Sequence, residues 1–481
     1  MPRRLLLASP LALVFAASPG FADPATPEGA KKILDLYSQY FTPKVVEGGF
    51  LTVKPDGDEY VVTWDFQKAV EQAGAERSAV SIEPLVYRVA IKGDHAWSLH
   101  AERLPRITIK DLQGPDRGGV ALEFLNAKVV SDYDDTKPDF LHSVASYDKL
   151  QLTVDVPNGG AQTGYRLEEN GGQFDLEAKA SDDGQGVDVT VGRSMQSVNQ
   201  TMSVQGGGSG APINVHYNTG PVTTTLQIDS LQGRAIGDLW RYVVANISSS
   251  EEPPELRDHV KATLPVWTNL RLDGAVQDVA IDFALAQASL KSASEHLALS
   301  GFTPKNVAEF AIKLDEVTAQ SLMLPAWAND LSPLSIDVGL SAGFDGLDRI
   351  ASIAIDDPRF GDGDLSPQSQ AGIETIWKTG HPTLTLEPSS LKNPIIDLRL
   401  EGSAKIDAKP SGHLHVSVDS LDKTVSLLQE ASKEEPDLAN IVMGMTYVKG
   451  LAKSDAEGRL VWDIDASESK LVVNGTPIPL R

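Results

Sequence analysis

Nine histidines are scattered through the 481 residues, and only His413 and His415 stand close enough to share one face of a strand. An H-x-H pair at period two offers two imidazole nitrogens to a metal, but no third ligand adjoins it, so the pair is expected on a wet strand face with no metal bound. Two groups of acids, Asp132, Asp134, Asp135 and Asp139, then Asp356, Asp357, Asp362 and Asp364, bring the carboxylates that calcium takes. Neither group has the spacing of an EF-hand loop, and both are expected as solvated turns. There is no G-x-S-x-G elbow, no S-x-x-K signature in context, no H-E-x-x-H and no Walker loop. Paired carboxylates about 5 to 9 Å apart would serve glycoside cleavage, but the sequence places no such pair. The expectation is a non-enzymatic protein with no catalytic residue and no cofactor.

Composition narrows the chemistry further. The chain contains no cysteine, which removes disulfides, thiolate metal sites and cysteine nucleophiles. The formal net charge is −24, with 42 basic and 66 acidic residues, which argues against nucleic acid and against docking on anionic headgroups. Residues 184–189, Gly-Gln-Gly-Val-Asp-Val, resemble one turn of a calcium-binding nonapeptide repeat, but such sites need tandem copies and this one is alone. Residues 1–22 read as a secretory signal peptide: Arg3 and Arg4, an apolar run over residues 5–17, and small residues at Gly20 and Ala22. Cleavage after Ala22 by the general secretory route would place the mature chain in the periplasm. The apolar run is too short to span a bilayer, and no later stretch is long enough.

The elements that must position any site are mostly strands. Apolar residues alternate with polar ones at Leu150, Leu152, Val154 and Val156, at Phe174, Leu176 and Ala178, and at Val187, Val189 and Val191. The same period recurs at Ile213, Val215 and Tyr217, at Leu384 and Leu386, at Ile396, Leu398 and Leu400, and at Leu414, Val416 and Val418. Turn signals at Asn158-Gly159, Asn170-Gly171, Asp183-Gly184 and Asn474-Gly475 fall between them, as hairpins require. The predicted class is α+β, mainly β: long curved antiparallel meander sheets with short amphipathic helices packed on them. Helix starts are expected at Thr26-Pro27, Thr303-Pro304 and Ser366-Pro367. Stripes at Ile33, Leu36, Tyr37, Tyr40 and Phe41, and at Ile236, Leu239, Trp240, Val243 and Ile247, are expected as core faces. The flexible stretch 206–210 (GGGSG) suggests a soft boundary between β-rich domains at 23–205 and 206–481, the second with inserted helix pairs. Two segments share an order of parts: a strand, Asp229-Ser230-Leu231, two helices and a strand, then a strand, Asp419-Ser420-Leu421, two helices and a strand. A distant duplication or a coincidence of short motifs explains that likeness equally well.

The last 70 residues are the most distinctive. The strand GHLHVSVDSL enters a helix carrying Leu421, Val425 and Leu428. A second helix places Leu438, Ile441, Val442, Met445 and Val448 on one face, with Met443 and Gly444 beside it; the chain then returns as GRLVWDI and ends on KLVVNGTPIPL. This order, with the signal and the first helix, resembles an uncharacterised alphaproteobacterial family, domain of unknown function number two thousand one hundred and twenty-five, whose members end on a strand closing in V-N-G-x-P. The resemblance implies a periplasmic envelope protein and transfers no functional residue. The leading expectation is a protein that binds or shields a lipid or other apolar envelope component, with Met443, Met445 and Trp462 as candidate lining. An envelope protein is a second possible partner. The alternative readings are a structural or protein-interaction module with a filled core and, behind it, a carboxylate-based hydrolase.

Overall fold

The computed structural model describes residues 25–72, 80–92, 96–110, 118–134, 140–158, 161–182, 184, 186–205, 213–247, 255–284, 286–321, 325–360, 364–406, 409–467 and 470–478. The expected signal peptide, Asp135, Asp139, Asp183, Asp362 and the 206–210 stretch lie outside these residues. Among the described residues the chain forms 25 strands and nine short α-helices, with antiparallel pairing wherever a register is defined. No described helix is long and apolar enough to cross a membrane. The chain divides into two compact units, Met1–Asn214 with Thr223–Leu270 and Phe360–Asp364, and Val215–Val222 with Arg271–Arg359 and Leu365–Arg481.

In the first unit the helix Pro27–Ser38 begins as expected, with the Thr26 hydroxyl accepting from the Gly29 amide and Pro27 at the first helical position. Ile33 and Tyr37 then face Phe50, Leu51, Tyr60, Val62 and Trp64, and the Trp64 indole donates to the Tyr87 hydroxyl at 3.1 Å. Strands here pair beyond a simple meander, since Ala161–Ala180 borders Phe140–Asn158, Val187–Met195 and Ser197–Gln205. The expected turn at Asn170-Gly171 is not a turn. Both residues lie inside Ala161–Ala180, whose pairing with Phe140–Asn158 keeps one register on either side of them. Gly171 takes φ +61°, a conformation that glycine adopts without penalty. Around it the apolar positions change from odd numbers (Tyr165, Leu167) to even ones (Phe174, Leu176), so the glycine resets the alternation rather than reversing the chain.

Two further expectations need correction. Thr303-Pro304 opens the strand Lys305–Ser321, not a helix: the Thr303 hydroxyl donates to the Lys305 carbonyl instead of capping, and Ala308, Phe310, Ile312 and Leu314 alternate at period two. A proline φ suits extended backbone as well as a first helical turn, so the local signal was ambiguous. On the helix Gly233–Asn246, Ile236 and Leu239 are half-buried, but Trp240, Val243 and the capping Ile247 are exposed, so that stripe is only partly a core face.

The second unit holds two helix pairs, Leu347–Asp356 with Pro367–Thr379 and Leu421–Ala431 with Leu438–Lys449. Ser366 caps the second of these helices as expected. The two matching segments noted in the sequence do share a local geometry, since Ser230 and Ser420 are both left-handed, at φ +50° and +60°. A third copy joins them: Asp345-Gly346-Leu347 also leads from a strand into a helix pair, with Gly346 at φ +110°. In all three, an aspartate, one left-handed residue and a leucine stand at the passage from strand to helix, as the last residues of the strand Val222–Leu231 in the first copy and just at or past the strand end in the other two.

At the C-terminus, Asn474 and Gly475 at φ +50° and +84° form the two-residue turn their dipeptide predicts. The strand Lys470–Val473 pairs with residues 464–467 of Leu460–Ser467.

Candidate functional site

Directly opposed residues of an antiparallel pair point to the same face of the sheet. Register partners in the second unit therefore define a row across eight strands: Leu297, Phe310, Leu340, Leu386, Gly402, Leu414, Ile464 and Val473. The adjoining row on that face is Leu299, Ala308, Ala342, Leu384, Ala404, Gly412, Ala466 and Leu471. Every residue of both rows is apolar or glycine. Between them on the opposite face runs Ala298, Glu309, Ser341, Thr385, Ser403, His413, Asp465 and Val472, a mostly polar row. The sheet is two-sided, dry on one face and wet on the other.

Among the described residues a helix pair covers one end of the dry face. There the helix pair Leu421–Ala431 and Leu438–Lys449 lies over Leu398, Val416, Val418, Trp462, Ile464 and Val473 through Leu421, Val425 and Met445. An ion pair between Lys449 and Asp422 ties the two helices, and the Trp462 indole donates to the Val448 carbonyl at 2.9 Å. Elsewhere, Phe344 stacks on Trp377 of the helix Pro367–Thr379, with ring centroids 4.4 Å apart. Between these contacts Phe310 is 44% exposed, Leu340 39% and Leu384 43%, and Ala308, Ala342 and Ile406 are exposed beside them. Large apolar side chains left contiguous on a sheet face are uncommon without a partner.

The sequence candidates divide across this cover. Trp462 is 4% exposed and Met445 half-buried, both in the packed cluster under the helix pair. Met443 points away from it and is 67% exposed, and Ile441 and Val448, expected on the same inner stripe as Met445, are exposed too. The structure thus brings Met445 and Trp462 together and leaves Met443 apart. Sequence reasoning missed Phe310, Leu340 and Leu384. The alternation of Phe310, Ile312 and Leu314 was the available signal, masked by the helix start expected at Thr303-Pro304.

The acidic candidates do other work. Asp132 accepts from Lys92 at 2.7 Å, and Asp188 of the nonapeptide-like stretch accepts from the Ser230 amide. Asp357 is fully buried, taking hydrogen bonds from the Arg359 and Ser366 amides and the Ser366 hydroxyl. Burial would raise its pKa, but these bonds and one from Ser369 outweigh it and hold the carboxyl well below the usual carboxylate range. It fastens the connection between two helices. Among the described residues no three histidines or acids gather into a metal cage. His413 and His415 do lie on a wet face, each bonded through Nδ1 to an aspartate across the strand, Asp465 at 2.9 Å and Asp463 at 2.7 Å.

No family model matches the chain, and neither a curated protein nor a solved structure is detectably similar to it.

Proposed function

We propose that this is a non-enzymatic periplasmic envelope protein that holds the acyl chain of a lipid against the dry sheet face of its second unit. The observation that carries the reading is the apolar row through Leu297, Phe310, Leu340, Leu386 and Leu414, whose middle is open to solvent while its far end lies beneath a helix pair. An acyl chain recovers, on burial, the hydrophobic free energy that exposed Phe310, Leu340 and Leu384 forgo, about 0.8 kcal/mol per methylene on the ligand side. The helix pair then limits the strip, with Met445 of the covering helix packed on Trp462 of the sheet at that end. Export and membership of the family resembled at both termini belong to the same proposal, and the net charge of −24 suits an apolar ligand better than an anionic surface.

The test is uptake of a fluorescent fatty acid by the mature chain and by Phe310→Asp and Leu340→Asp. A charge in the middle of the strip is expected to abolish uptake, whereas Val130→Asp, an exposed position in the first unit, is expected to leave it unchanged. Equal uptake by all four proteins would overturn the assignment of the face.

A further inference from the structure

The wet face of the same unit carries an arrangement that the apolar reading does not use. His413 and His415 are alternate residues of the strand Ser411–Asp419, so their side chains leave the same face with Cα atoms about 7 Å apart. Each imidazole is bonded through Nδ1, His413 to Asp465 and His415 to Asp463, and each aspartate is the direct register partner of its histidine on Leu460–Ser467. An Nδ1–H that donates to a carboxylate fixes the neutral tautomer with its lone pair on Nε2. Each Nε2 then carries an available lone pair, on side chains that are 49% and 34% exposed. On the other flank Glu401 is the register partner of His415, adding a third carboxylate to the row.

We propose that His413 and His415 form a two-nitrogen chelate for a divalent transition cation of the Zn²⁺ or Cu²⁺ class, with water completing the coordination. Two metal-to-nitrogen bonds of about 2.0–2.1 Å require the two Nε2 atoms to approach within about 3 Å, which alternate imidazoles on a strand reach by tilting toward each other. Asp463 and Asp465 act as the outer carboxylates that hold ligating imidazoles in place. The other described histidines with carboxylate partners lack this pattern. His296 bonds Asp273 through Nδ1 but has Glu309 3.7 Å from Nε2, His142 meets Asp175 through Nε2 itself, and His100 stands with Nδ1 3.9 Å from Glu59, beyond hydrogen-bond reach.

Calorimetric titration of the mature full chain with Zn²⁺ alone, and separately with Cu²⁺ alone, tests the site. One cation per chain is expected, with Cu²⁺ bound more tightly than Zn²⁺. His413→Ala or His415→Ala should remove that binding, Asp465→Asn should weaken it about 10- to 100-fold, and His296→Ala should leave it unchanged. Circular dichroism spectra matching the parent would show that these surface variants are folded. No detectable binding, or binding indifferent to both His413→Ala and His415→Ala, would overturn the proposal. The fatty-acid assay reads the opposite face, so the two proposals fail independently.

Discussion

Replacing Trp462 by alanine is expected to be among the most destabilising single changes in the second unit. A tryptophan buries about 150–250 Å², and this one is 4% exposed, between Val416 on the neighbouring strand and the helix pair above. At about 25 cal/mol per Å² the lost transfer term is about 4–6 kcal/mol, and measured tryptophan-to-alanine changes run at about 3–5 kcal/mol. The indole bond to Val448 contributes about 1 kcal/mol more, because its loss leaves the last turn of the helix Leu438–Lys449 with one fewer tie to the sheet. Met443 on the same helix is 67% exposed, and Met443→Ala should cost under about 1 kcal/mol. Urea unfolding of the full chain, followed by circular dichroism, compares the midpoints directly. A Trp462→Ala midpoint equal to that of Met443→Ala would show that the helix pair does not pack on the sheet as described.

The left-handed turn before each helix pair gives a second contrast. Gly346→Ala should destabilise by about 1–2 kcal/mol, since φ is +110° and the new Cβ would meet Ile376 Cγ2 at 3.0 Å, whereas Ser420→Gly should be neutral or stabilising in the same melt. The depressed pKa of Asp357 makes a pH prediction: its stabilisation is complete above the unfolded carboxylate value near 3.8 and is lost as pH falls from there toward the folded value. Between pH 5 and 2, Asp357→Asn should therefore show a shallower loss of melting temperature than the parent, from a lower start, and parallel curves would refute it. Deleting residues 470–481 removes a strand whose Val473 is buried and bares the edge of Leu460–Ser467, so aggregation or degradation is expected on expression. An unchanged melting curve would show the segment to be dispensable.

Local signals were legible where one residue and its neighbours decide the structure. Thr26-Pro27 and Ser366-Pro367 cap helices, and Asn474-Gly475 turns the last hairpin, because capping and turn dihedrals are settled within four residues. Thr303-Pro304 and Asn170-Gly171 carry the same signals and do otherwise, because strands far away in sequence pair with their flanks and outweigh a local preference. The site was half legible for a related reason. Alternation tells which residues share a face, but whether that face is covered depends on which helices fold back over it. Met445 was found on the helix pair and Trp462 on the strand that follows it, while Phe310, Leu340 and Leu384 become a strip only when the register aligns three strands. The third Asp-x-Leu turn was missed because Gly346 stands where the other two copies have serine.

The central claim is that the dry face of the second unit holds acyl chains, and its most direct measurement is native mass spectrometry with lipid extraction of the protein purified from its own envelope. The parent is expected to carry an acyl lipid that Leu340→Asp, folded by circular dichroism, does not carry. A parent chain free of lipid, or a Leu340→Asp chain equally loaded, would contradict the account.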